Sequence, residues 1–169
     1  EAGVMTATPA QDSGGSGYVY TYDFPTTAEK TIKTYTLEGG DNIQAEEMED
    51  CFVEGFKLSG KAGEALMMSA EWVGRQVTKT SFTTSATLPA IEEILTNGGK
   101  LYIDAVSGTQ GTTQISNSLL EFSLNVKTGL MPVYTIDGQL YFSFVKNGGP
   151  DLTLEVTLEH DTNSVAQKD

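Results

Sequence analysis

The chain has 169 residues, 38% of them hydrophobic, enough for one domain and cramped for two. Its 23 Asp and Glu against 10 Lys and Arg give a formal charge of -13, which repels phosphate backbones and anionic lipid and so argues against a grip on nucleic acid or membrane. A wall that nucleic acid merely slides past stays compatible with that charge. The single cysteine, Cys51, excludes an intrachain disulfide, and no apolar run reaches the roughly 18 residues of a bilayer span, so a soluble domain is expected.

Residues 1–17 carry Gly3, Ser13, Gly14, Gly15, Ser16 and Gly17 without an apolar period, which reads as a flexible arm that orders only against a neighbour. From 18 to 160 a single β domain is expected, because β-branched and aromatic residues alternate with polar ones between Gly, Asn and Asp breaks. Strands are expected at Tyr18 to Tyr22, Ile32 to Leu37, Cys51 to Leu58, Leu66 to Val73, Leu101 to Val106, Val133 to Ile136 and Leu140 to Val145. Gly60 to Gly63 reads as a hairpin turn, and Asp137-Gly138 as a two-residue type I′ turn, which needs positive φ at both positions.

Pro89, the apolar stripe Ile91, Ile94 and Leu95, and the stop signal Asn97-Gly98 predict one short α-helix flanking the sheets. The clearest alternation sets Leu120, Phe122, Leu124 and Val126 against Glu121, Ser123, Asn125 and Lys127. A second sets Leu152, Leu154, Val156 and Leu158 against Thr153, Glu155, Thr157 and Glu159. Both predict strands with one wet face. Residues 161–169 are polar and read as a C-terminal tail.

Residue types suited to catalysis are sparse. The only histidine, His160, stands at the edge of the tail, and one Cys with one His makes no zinc set. Gly55, Gly60 and Lys61 match GxxxxGK, but Ala62 stands where Ser or Thr would hold magnesium, and the would-be loop alternates like a strand. Asp41, Glu46, Glu47, Glu49 and Asp50 crowd carboxylates without a base; they lack EF-hand spacing and read as a solvated acidic loop, with divalent-ion binding as the alternative. Cys51 reads as a buried small hydrophobe, and Trp72, spaced with Leu66, Met68 and Ala70, as core. No catalytic, cofactor or metal site is therefore assigned.

The segment from Tyr35 to Thr80 resembles the central block of siphophage tail tube proteins: a strand ending near FxLSG, a short turn, and a strand closing on a small residue and Gly. The matching residues are Phe56, Leu58, Ser59, Gly60, Gly63, Glu64, Leu66, Ser69 and Gly74. The Pro89-led segment, SLLEFSLNV and LTLEVTLEH follow in the family's order, so the resemblance covers most of 35–160. It implies a mainly β fold of two packed antiparallel sheets, a sandwich or distorted barrel, with a flanking helix. It also implies rings of six copies stacked into the tail tube of a virion, a conduit for DNA ejection, with the tape measure protein and tail-end proteins as partners and synthesis in the host cytoplasm.

On that resemblance, Glu121, Ser123, Asn125, Glu155, Thr157 and Glu159 are expected among the lumen-facing residues, with outward solvent as the plain alternative. Asp41, Glu46, Glu47 and Glu49 are expected in a loop reaching the next ring. The alternative from another class is an adhesin-like β-sandwich binding module on a cell surface, with calcium at Asp41 to Asp50. A carboxylate-based glycosidase ranks third, since nothing selects two acids of 23.

Overall fold

The computed structural model describes residues 9–11, 14–15, 18–20, 32–41, 43–84, 87 and 93–165. In chain order the strands are β1 (Pro9–Gln11), β2 (Tyr18–Tyr20), β3 (Tyr35–Gly40), β4 (Ala45–Lys61), β5 (Met67–Val73), β6 (Gln76–Thr80), β7 (Leu101–Tyr102), β8 (Gln114–Ile115), β9 (Leu119–Lys127), β10 (Leu130–Val133), β11 (Phe144–Asn147) and β12 (Asp151–Leu158), followed by a helical turn, α1 (Thr162–Val165). β4 is hydrogen-bonded to β3, β5, β6 and β9, and β9 to β12; β1–β2, β7–β8 and β10–β11 are two-stranded ribbons.

The mainly β expectation holds, but the sandwich or distorted barrel is corrected to several antiparallel sheets, with no closed barrel among the described residues. The expected flanking helix is corrected as well. Residues 88–92 lie outside the described residues, and the described part is a 3-10 turn at Thr96–Gly98 entered from an extended Leu95. Most of the expected arm over 1–17 also lies outside them; within it, Pro9–Gln11 pairs antiparallel with Tyr18–Tyr20.

The strands divide between two compact units. The first comprises Glu1–Phe56, Ala70–Ala86 and Lys127–Asp151. Its sheet places the first half of β4 between β3 and β6, so that Ala45 pairs with Gly40 on one edge and Thr80 on the other. A bulge breaks the β3–β4 register between Tyr35 and Leu37, and Asp50, at φ 49, takes up the extra residue. Cys51, Phe52 and Val53 follow as the fully buried heart of the unit. Phe52 meets Phe142 edge-on at 5.8 Å, and Tyr35 meets Trp72 in the same way. Burying a side chain the size of Phe52 contributes about 1.5–3 kcal/mol.

Buried Thr128 closes the floor. Its hydroxyl donates to the carbonyls of Val53 (2.7 Å) or Glu54 (3.0 Å) and accepts from Leu130 N–H. β10 then pairs with β11 in antiparallel register, Val133 across from Phe144 and Met131 across from Lys146. The connection is not the expected two-residue turn but the loop 134–143, in which Gly138 alone takes positive φ (82°).

The second unit comprises Lys57–Ser69, Thr87–Val126 and Leu152–Asp169. The expected turn near Gly60 to Gly63 is present: Glu64 N–H returns to the Lys61 carbonyl (3.0 Å) and Gly63 sits at φ 85. A strap crosses this hairpin. Leu66 N–H donates to Ile94 O (2.8 Å), Thr96 N–H to Glu64 O (3.0 Å), and Gly63 N–H to Asn97 Oδ1 (2.6 Å). Residues 94–97 thus spend their polar groups on the hairpin rather than on a helix of their own, which is why the helical stripe fails. A Cβ on Gly60 would lie 2.6 Å from Thr96 and 2.9 Å from Phe122, so only glycine lets the strap sit this close.

At the chain's end Asp161 caps α1 reciprocally: Ser164 N–H donates to Asp161 Oδ1 (2.8 Å), while Asp161 N–H donates to Ser164 Oγ (2.9 Å). Ser118, fully buried, donates its hydroxyl to Asp161 Oδ2 at 2.7 Å.

Candidate assembly surfaces

The second unit leaves one strand unusually bare. β12 ends the strand order, with β9 as its hydrogen-bonded neighbour. Glu159 N–H donates to the Ser118 carbonyl at 2.7 Å, and with Leu119–Lys127 and Asp151–Leu158 both running away from that point, the two strands pair antiparallel. Leu158 then lies across from Leu119, Val156 from Glu121, Leu154 from Ser123 and Leu152 from Asn125. Residues directly opposite share a face.

Two consequences follow from this register. The backbone groups of the odd-numbered residues of β12 point to β9, whereas those of Leu152, Leu154 and Val156 point out from the edge, which pairs with no other strand among the described residues. The side chains of these same three residues are exposed, Leu154 by 54%. The alternation expected for β12 is present, but its apolar face is not buried in the isolated chain. An edge strand that is long, apolar on one face and free of proline is what soluble proteins ordinarily blunt.

The polar candidates fall into two sets. Ala62 N–H donates to Leu120 O (2.9 Å), which sets Glu121 beside Lys61 and Asn125 beside Lys57 on β4. Glu121, Ser123 and Asn125 therefore share a face with two lysines and with the exposed leucines. Glu155 and Thr157 lie across from Phe122 and Leu120 on the other face, with Glu159 across from Ser118. Sequence alternation finds each set but cannot tell that the register turns them opposite ways.

The acidic stretch is largely strand rather than loop. Only Asp41 lies in a turn, where its Oδ1 accepts from Ile43 N–H (2.8 Å) and Gln44 N–H (2.9 Å). Glu46, Glu47 and Glu49 stand on β4 and accept from Gln44, Thr78 and Gln76 respectively, while Lys79 pairs across from Glu46. Asp50 forms an ion pair with Arg75 at 3.2 Å, and Arg75 stacks over the Tyr141 ring at 4.4 Å. The strand neighbours responsible, β6 above all, are some thirty residues away in sequence, and β6 was not among the expected strands, although its β-branched residues Val77, Thr78 and Thr80 could have marked it.

The groups with shifted acidity are turn-formers. Asp104 accepts from Thr112 Oγ1, Thr113 N–H and Gly111 N–H, and these bonds lower its pKa from 3.8 to about 2. Glu38, bonded to the hydroxyl and N–H of Thr83, is lowered in the same way, as are Asp41 and Asp137. All four carboxylates thus stay ionised while holding backbone. Burial raises the Cys51 thiol, whose Sγ contacts the Met48 carbonyl at 2.9 Å. Gly55, Gly60 and Lys61 all lie within β4, so they form no phosphate-cradling loop. Among the described residues no three His, Cys, Asp or Glu side chains are grouped as metal ligands.

The family model for phage tail tube proteins matches residues 2–169. No curated protein matches the chain.

Proposed function

The chain belongs to the phage tail tube protein family, and from that premise we propose that its copies join into rings, six to a ring, and that the rings stack into the hollow tube through which DNA leaves the virion. A tail tube protein is a structural component of the virion tail. The observation that carries the assembly reading is the bare apolar edge of β12, which a neighbouring copy can cover by adding a strand. The role is structural and not catalytic. Copies of the chain are the principal partners; the tape measure protein and the tail-end proteins are the others, and synthesis takes place in the host cytoplasm.

The formal charge of -13 suits a conduit that DNA passes without being held. One lumen wall can take only one of the two polar sets. We assign it to Glu155, Thr157 and Glu159, because Glu121, Ser123 and Asn125 share their face with Lys57 and Lys61, whose charge DNA would bind. Asp41 in its turn, with Glu46, Glu47 and Glu49 alongside, is assigned to the contact with the next ring.

Charge reversal tests the lumen assignment. Glu155→Lys combined with Glu159→Lys is expected to leave tubes intact while ejection slows several-fold and DNA stays associated with the tubes in low salt, an effect that weakens as salt rises. Ejection at the wild-type rate from such tubes would refute it.

A further inference from the structure

We propose that the β10–β11 hairpin is a second contact between copies of this chain, separate from the β12 edge and gripping through Met131, Tyr134, Ile136, Leu140 and Phe144. The proposal rests on the tube reading and adds a surface to it.

The hairpin is a two-stranded ribbon, an arrangement that is marginal in water without cover. Its register puts Met131, Phe144 and the exposed Lys146 on one face, and Met131 and Phe144 are about half exposed (50% and 53%). Tyr134, where β10 runs into the loop, is also exposed, and Ile136 and Leu140, on either side of Asp137-Gly138, are fully exposed. Isolated exposed apolar residues are ordinary; five large ones along one hairpin and its tip mark an interaction surface.

This is not a loose loop that happens to display them. Asp137 Oδ1 accepts from Gln139 N–H (3.1 Å), and its Oδ2 from the hydroxyls of Thr135 (2.9 Å) and Ser143 (3.2 Å), which also bond to each other. Ser143 N–H returns to the Val133 carbonyl at 2.8 Å. From below, Phe142 is buried against Phe52 and meets Tyr134 edge-on at 6.5 Å. The apolar tip is held in a fixed shape, so little ordering entropy is lost when it docks.

Charge points to a second copy as the occupant. Residues 130–150 contain one acid, Asp137, and one base, Lys146, and are therefore neutral within a chain of formal charge -13. Copies of so acidic a chain repel one another, and they can meet with least repulsion where a surface is largely apolar and carries no net charge. An anionic membrane would call for a cluster of bases, which the hairpin lacks.

Two measurements on the full chain test the proposal. Ile136→Asp combined with Leu140→Asp is expected to keep the wild-type circular dichroism and melting temperature, since neither side chain is packed, while raising the concentration needed for assembly at least tenfold. In wild-type protein, Met131 should be oxidised by dilute peroxide several-fold more slowly in the assembled state than after dissociation. Assembly of the double variant at the wild-type concentration, or equal Met131 oxidation in both states, would leave the hairpin to some other partner and overturn the proposal alone. A wild-type chain that never assembles would overturn the tube reading and this contact together.

Discussion

Replacing Leu154 with proline should raise the concentration needed for polymerisation at least tenfold without unfolding the protein. In the register fixed by the Glu159–Ser118 bond, the Leu154 N–H points away from β9 toward the open edge, so a proline there removes no ladder bond among the described residues, and edge strands tolerate it for that reason. What it removes is a donor offered to the next copy. A lost or unsatisfied interfacial bond costs about 1–3 kcal/mol, and each 1.4 kcal/mol is about tenfold in affinity. The concentration needed for assembly should therefore rise roughly tenfold to a hundredfold by sedimentation, while the monomer's melting curve moves little. Thr153→Pro is the internal comparison. Its N–H faces β9, so that variant should lose stability as well as assembly. Equal behaviour of the two, or normal tubes from Leu154→Pro, would show that the β12 edge is not the joint.

The largest effect on stability is expected at Gly129. Its φ of 72° lies in the left-handed region, and a Cβ built there would stand 1.8 Å from the carbonyl oxygen of Gly149. Gly129→Ala must therefore move backbone at the base of the β10–β11 hairpin, where Gly148 N–H donates to the Gly129 carbonyl at 2.8 Å. Backbone strain and a main-chain clash together should cost about 3 kcal/mol, or roughly 6–12 °C in melting temperature for a chain of this size. Gly63 separates strain from clash. It has a similar φ of 85° but open space where the Cβ would go, so Gly63→Ala should cost only about 1–2 kcal/mol. Comparable losses at the two sites by urea denaturation would mean that the Gly149 contact gives way easily.

Local pattern was a good guide where one strand face decides the outcome. The alternation from Leu119 to Lys127 and from Asp151 to Leu158 is that of the two strands observed, and Gly63 turns where a glycine was needed. Sequence failed where distant groups compete for the same backbone. The Pro89-led helix is a reasonable local choice, yet Ile94, Thr96 and Asn97 bond the Gly63 hairpin instead. Asp137-Gly138 resembles a tight turn, but Asp137 accepts from Thr135 and Ser143 and so closes a longer loop whose Phe142 reaches Phe52. The acidic run before Cys51 reads as solvated loop because its partners Gln76, Thr78 and Lys79 come a strand later.

For the assembly surfaces the divide is similar. Composition and alternation single out the polar residues of β9 and β12, but periodicity within one strand carries no information about the strand beside it. Only the pairing of Val156 with Glu121 and of Glu155 with Phe122 reveals that the two polar sets face opposite ways. Exposure of the leucines on β12, and of Ile136 and Leu140, likewise belongs to tertiary structure. An apolar residue in an alternating strand looks the same in sequence whether its cover comes from its own chain or from the next.

Electron microscopy of the purified chain across a concentration series tests the central claim most directly. Rings are expected at intermediate concentration, and hollow tubes of uniform diameter, with six-fold symmetry in end views, at high concentration. A chain that stays monomeric up to the highest soluble concentration, or that gathers only into aggregates without a central channel, would contradict it.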